Sequence, residues 1–292
     1  MQLRETGQRP PFFNTSLPRA SHWLLLAPAW VWMTAFFLLP LVIVLVYSFL
    51  SKGDYGGVAL PLTGSNYGRF VDPLYLRILG RSFLIAAAAT ALCLAIGYPL
   101  AYYIARYGGR WKNALLFLVV LPFWTSFLVR TYAWIFLLRD TGLINTLLIR
   151  LGWVRVPLPL LYNEGAVLVG LVHGFLPLMV LPLYASIERL NPALLEAAAD
   201  LGARPFSSFY RVTLPLTRSG VYAGSVLVFV SALGAYITPD LLGGGKSIMI
   251  GNLVQNQFTT ARDWPFGSAA SLLLMAVVVA ALQLCRGEGD FR

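Results

Sequence analysis

Six long apolar blocks dominate this chain, at about 23–49, 82–105, 113–138, 165–187, 220–242 and 266–285, almost free of charged residues. A helix needs roughly 20 apolar residues to cross the hydrocarbon core of a bilayer. Inside that core every backbone polar group must be satisfied within the protein, which favours helices. The blocks therefore predict an all-α membrane protein with about six transmembrane helices, its membrane domain covering residues 23–285. Composition agrees: 58% of the 292 residues are hydrophobic and 12% charged, against about 25% charged in an ordinary soluble domain.

Arg4, Arg9 and Arg19 precede the first block in the manner of a signal peptide. The run Trp23 to Phe49 is longer than the roughly 7–15 residues of a signal core and has no small-residue cleavage site. It is read as a retained first span after an N-terminal segment 1–22. If the N-terminus lies inside, twelve of the 22 Lys and Arg residues fall on the cytoplasmic side, nine outside and Arg130 within a block. The cluster Arg106, Arg110 and Lys112 weighs most. This bias predicts both termini inside, with loop 188–219 and tail 286–292 cytoplasmic. The net charge of +10 thus serves topology and lipid headgroups. No Lys/Arg-rich run suggests a nucleic-acid partner. Cys93 and Cys285 lie in apolar blocks and read as small buried hydrophobes.

The segment IERLNPALLEAAADLGARPFSSFYRVTLPLTRSG carries the most information. Asn191 is a good helix N-cap, and Pro192 suits the first helical position. Ala193 to Leu201 are strong helix formers, and Gly202 is placed to end the helix in the left-handed conformation. Pro205 can open a second short helix through Phe206, Phe209 and Tyr210, with Pro215 expected to stop it. Two readings follow. The pair rests on lipid headgroups, or it docks a cytoplasmic partner.

Glu196-Ala197-Ala198, three residues, Gly202, nine residues, Val212, one residue, Leu214-Pro215 resembles the EAA loop of ABC-importer permeases. That family's pattern is E-A-A-x3-G-x9-I-x-L-P, and the one departure is Val212 for Ile. The runs LPFWTSFLVRTYAW (121–134), LPLYASIERLN (181–191), DLLGGGKSIMIGN (240–252) and RDWPFGSA (262–269) are similar to the spermidine/putrescine branch. The resemblance implies a type I ABC-importer-like permease whose cytoplasmic coupling helices seat in an ATPase subunit. Glu196 would be the docking acid, Gly202 the turn and Ala197 and Ala198 close-contact positions, with Leu214 and Pro215 also in the ATPase-coupling set. The implied partners are a second permease subunit, giving a heterodimer, two cytoplasmic ATPase subunits, a periplasmic solute-binding protein and membrane lipid. The location implied is the bacterial inner membrane. Periplasmic contacts would fall on loops 51–80, 139–164 and 243–265.

GGGKS (243–247) is not a phosphate loop. The pattern G-x-x-x-x-G-K-[ST] needs glycine at 240, where Asp stands. It reads as a glycine-rich turn between spans. The chain is thus expected to bind no cofactor itself, with ATP and Mg2+ on the ATPase subunit, and to be no enzyme. His22 and His173 lie far apart, with no catalytic pattern around either. Arg130, a charge at membrane depth, reads as part of a structural pair or interface before a substrate ligand. Trp124, Tyr132, Trp134 and Tyr236, with Asp240, could line a cation path or form an interfacial aromatic belt. An autonomous secondary transporter is the alternative from another class, though midplane acids and inverted repeats are not evident. A membrane enzyme is a third reading. Within the family, the cargo could instead be another small organic cation or an amino-acid-like solute.

Overall fold

A computed structural model describes the backbone of residues 19–287 and side chains of residues 26–283. Segments 1–18 and 288–292, with most of the expected N-terminal segment and tail, lie outside the described residues. In chain order the helices are α1 (Arg19–Ser48), α2 (Ser65–Phe70), α3 (Pro73–Tyr107), α4 (Lys112–Val120), α5 (Phe127–Leu138), α6 (Leu143–Arg150) and α7 (Glu164–Glu188). They continue as α8 (Pro192–Asp200), α9 (Pro205–Ser208), α10 (Leu214–Leu216), α11 (Arg218–Leu233), α12 (Ile237–Gly243), α13 (Ile250–Phe258) and α14 (Trp264–Gly287). Strands β1 (Leu50–Lys52) and β2 (Val58–Leu62) form one antiparallel hairpin. Among the described residues, five stretches are long and apolar enough to cross a membrane: 26–48, α3, 127–150, α7 and 264–283. A sixth is counted if 205–216 and α11, bent by 68°, are one span.

The core is the three-helix packing of α3, α7 and α11. Glycine brings these helices together. A Cβ on Gly220 would lie 2.6 Å from Ser186 Cβ and 2.8 Å from the Pro182 carbonyl oxygen, and one on Gly224 would lie 2.7 Å from Met179 Sδ. Small residues allow this approach where no hydrophobic effect drives helices together. By contrast α1 pairs with α14 and leaves Trp30, Met33, Phe36 and Phe37 exposed, as befits a helix facing lipid.

Three elements depart from the sequence-based reading. The third block is interrupted: α4 gives way to a 3-10 turn at Leu121–Trp124, and α5 restarts after an extended Thr125–Ser126. Pro122 lacks an N–H, and Ser126 (ψ 133°) leaves the helical region. The fifth block also divides, with α11 ending at Leu233 and α12 beginning at Ile237. The second helix starts at Pro73, capped by the Asp72 side chain, which accepts from Leu74 N at 2.8 Å. At about 1.5 Å per residue it outreaches the roughly 30 Å bilayer core.

The end of the molecule beginning α3 and α7 is knitted by polar contacts. Arg81 Nε donates to Glu164 at 2.6 Å. Arg69 pairs with buried Asp263 at 2.9 Å and lies 4.3 Å over the Phe266 ring. Asp263 also accepts from Phe266 N, capping α14. The Asn66 side chain donates to the Ser48 and Leu50 carbonyls, fastening the end of α1 to the hairpin.

Candidate functional site

The other end of the core carries the 188–217 segment. Asn191 Oδ1 accepts from Ala193 N at 3.1 Å with Pro192 at the first position of α8. Gly202, at φ +78°, reverses the chain. Gly202 N donates to Ala199 O and Ala203 N to Ala198 O, which satisfies carbonyls left free at the helix end. A Cβ on Gly202 would meet nothing within 4 Å, so the demand for glycine there is conformational.

Pro215 does not end the second helix, contrary to expectation. From α9 the chain widens into a π turn at Phe209–Thr213 and continues through Pro215 in α10. The widened turn relieves the clash between a proline ring and the preceding turn. The bend comes at Thr217, between α10 and α11.

The two short helices sort their apolar side chains. Leu195, Ala199, Ala203, Pro205 and Phe209, with Tyr102 of α3, line a cavity of about 230 Å³ beneath the hairpin. Leu201 (89% exposed) and Phe206 (75% exposed) project outward with Tyr210. Glu196, Ala197, Gly202 and Pro215 are exposed, and Ala198 and Leu214 half-buried. The hairpin therefore presents an acid, small residues and apolar side chains on an uncovered surface.

Its base is pinned to the core by residues that the motif does not contain. The Tyr98 hydroxyl lies 2.9 Å from Thr217 Oγ1, both side chains being buried, and Thr217 donates to the Thr213 carbonyl at 2.8 Å. The Tyr98 ring meets Phe209 edge-on at 5.3 Å. Arg106 Nη2 donates to the Leu190 carbonyl at 2.9 Å, just before α8. Lys112 pairs with Glu188 and lies 5.3 Å over Tyr184. Hydrogen bonding to Glu188 holds the Lys112 ammonium pKa above its ordinary value. Beside α8, Pro182, Ser186, Arg189, Leu194, Leu216 and Ser219 border a groove of about 520 Å³.

The proposed path residues are distributed differently. Trp124 sits in the 3-10 turn, exposed, with Phe117 edge-on at 5.3 Å. Tyr132 is exposed on α5, and Trp134 packs edge-on against His173 of α7 at 5.6 Å. Tyr236 and Asp240 are exposed at the start of α12, which packs on α5 and α7. The two groups thus share a region, but among the described residues no hydrogen bond or ring stacking joins Trp124, Tyr132, Tyr236 and Asp240. Asn252 Nδ2 donates to the Tyr236 carbonyl at 2.7 Å, fixing the α11–α12 junction. Arg130 has no acid within salt-bridge distance among the described residues and lies 5.5 Å from the Phe123 ring and 5.6 Å from Phe127. GGGKS is a packed turn: Gly244 (φ +56°) and Gly245 (φ +76°) reverse the chain, and a Cβ on Gly244 would lie 2.4 Å from the Tyr162 ring. Among the described residues no cluster of three metal-binding side chains occurs.

Residues 97–285 match the sequence profile of the family described as binding-protein-dependent transport system inner membrane component. The chain is 44% identical over 251 residues to the spermidine/putrescine transport system permease protein PotB of Haemophilus influenzae, covering 85% of this chain and 88% of that one. It is 42% identical over 247 residues to the protein of that name from Escherichia coli, covering 85% and 90%. The molybdenum transport system permease protein ModB of Mycobacterium bovis is 33% identical over 200 residues, covering 68% and 72%. A chain of the bacterial alginate ABC transporter crystallised with an alginate-bound periplasmic protein superposes with a TM-score of 0.76. It is 16% identical, with 93% of this chain and 94% of that one covered.

Proposed function

This chain belongs to the binding-protein-dependent inner membrane component family and is the permease subunit of an ABC importer, and from that premise we propose that its cargo is a polyamine of the spermidine/putrescine type. The observation that supports the cargo is the similarity, over most of the chain, to permeases named for those solutes. The identity is higher than to the molybdenum permease. Exposed Tyr132 on α5 and exposed Tyr236 and Asp240 at the start of α12 suit a cation carrying several ammonium groups.

In this reading the 188–217 end faces the cytoplasm, and Glu196, Ala197, Ala198 and Gly202 enter a cleft of an ATPase subunit that holds ATP and Mg2+. Exposure of Leu201 and Phe206 supports a protein partner over bulk water. Closure of two ATPase subunits would move the hairpin as a rigid body. Tyr98–Thr217 and Arg106–Leu190 would then carry that displacement into α3 and α11. A second permease subunit completes the path, and a periplasmic binding protein delivers solute to the opposite end.

Uptake by the reconstituted complex tests the cargo. ATP-dependent, binding-protein-dependent accumulation of labelled spermidine or putrescine, with no accumulation of an unrelated amine, is the expected result. Failure to carry either, while another solute is carried, overturns the cargo and leaves the permease assignment standing.

A further inference from the structure

Arg130 is a charge the chain itself leaves unanswered. It lies in the first turn of α5, immediately after the interruption of the third span. Its Nε and Nη1 are buried without a hydrogen-bond partner, and its guanidinium carbon lies 5.5 Å from the Phe123 ring centroid and 5.6 Å from that of Phe127. Ring faces supply some attraction to a cation, but they do not replace hydrogen-bond acceptors for buried N–H groups. The chain's own acids do not serve. Asp240, on the neighbouring α12, is not within salt-bridge distance, and the ion pairs formed among the described residues involve Arg69, Arg81 and Lys112.

Three kinds of acceptor could come from outside the chain, and the surroundings favour one. A polyamine is a cation and is repelled. A lipid phosphate lies at the bilayer surface, whereas Arg130 lies within the block 113–138, with α4 on one side of it and eight residues of α5, about 12 Å of helix, on the other. A protein acid remains. The same half-helix leaves Val129 (61%), Tyr132 (44%) and Phe136 (61%) exposed, a face free for another helix.

We propose that Arg130 forms an ion pair with a carboxylate of the second permease subunit, joining the two halves of the path at the broken third span. The proposal rests on the reading that the chain works beside a second permease. Burying a charge is unfavourable without a paired, hydrogen-bonded partner. The pair therefore stabilises the two-subunit form over the separate chain, and it neutralises a positive charge that would otherwise face an incoming cation.

Charge reversal in the whole complex tests this. Arg130→Glu should lower uptake and recovery of the second permease with this chain by about tenfold or more, because it sets two carboxylates against each other. Membrane abundance of the chain should be preserved, and Arg130→Lys should retain more activity than Arg130→Gln. A library confined to the second permease, screened against Arg130→Glu, should then restore uptake through an acid changed to Lys or Arg. That change should be harmful beside native Arg130. Normal pairing and uptake by Arg130→Gln and Arg130→Glu overturn the proposal. So does loss of the Arg130→Glu chain from the membrane if Arg130→Gln, made in the same background, pairs normally. Rescue arising only within this chain, or only on adding anionic lipid to the purified complex, also overturns it. Subunit pairing is read separately from cargo, so a complex that carries no polyamine can still report on the ion pair.

Discussion

The 188–217 hairpin and the broken third span are built in opposite ways. At the 188–217 hairpin most polar requirements are met within the chain, with Arg106 Nε left without a partner. Asn191 caps α8, Gly202 turns it, Thr217 and Tyr98 satisfy each other, and Arg106 holds the Leu190 carbonyl. What stays open there is apolar, at Leu201 and Phe206. At the broken third span the reverse holds: packing against α7 is tight, with Phe127 close against Gly174, while a charge at Arg130 stays open. A finished platform with an uncovered apolar face can be pushed as a unit. A span interrupted at a charge depends on its neighbour to be complete.

Substitutions can break or sharpen that contrast. The largest effect is expected in the helix packing just behind the hairpin's base. Gly220→Leu places side-chain atoms where Ser186 Cβ and the Pro182 carbonyl already lie within 2.6–2.8 Å of a Cβ. Overpacking of this kind typically costs about 1–3 kcal/mol or more, and folded chain recovered in mild detergent should fall sharply. Gly202→Ala should be milder, because only the left-handed backbone resists it, at roughly 1 kcal/mol. The reduction should appear in uptake and ATPase recovery, with thermal unfolding of the membrane core unchanged.

Tyr98→Phe removes one buried hydrogen bond and leaves the Phe209 contact, a change of about 1 kcal/mol. If the pin transmits motion, ATP hydrolysed per solute imported should rise severalfold while ATPase binding persists. An unchanged ratio would show that the hairpin moves the core by another route. The smallest effect belongs to Lys112→Gln. Solvent screens its pair with Glu188, so uptake within about twofold of the native complex is expected.

The same contrast explains what was legible in the sequence. The hairpin's structure is encoded by neighbours in the chain: a cap next to a proline, a run of alanines, a glycine at the turn. Such signals are local. Pro215 misled because proline reads as a stop, whereas the π turn at 209–213 admits it. The interruption at 121–126 was hidden for a related reason. Pro122 lay in a block whose hydropathy matched an unbroken span, and prolines at 177 and 182 leave α7 continuous. The pins were beyond sequence reasoning, because Tyr98 and Thr217 lie 119 residues apart and neither belongs to the motif. The hairpin β1–β2 and the link of Arg69 to Asp263 likewise join distant segments.

In the proposed coupling, Glu196 and its neighbours form the surface on which an ATPase subunit docks. Glu196→Lys leaves the exposed helix free to fold and reverses the charge presented to the partner. Co-purification of the ATPase with this variant, set against membrane abundance of the chain, is the direct measurement. The account predicts normal abundance with the ATPase lost and uptake abolished. Full ATPase recovery together with native uptake would contradict it.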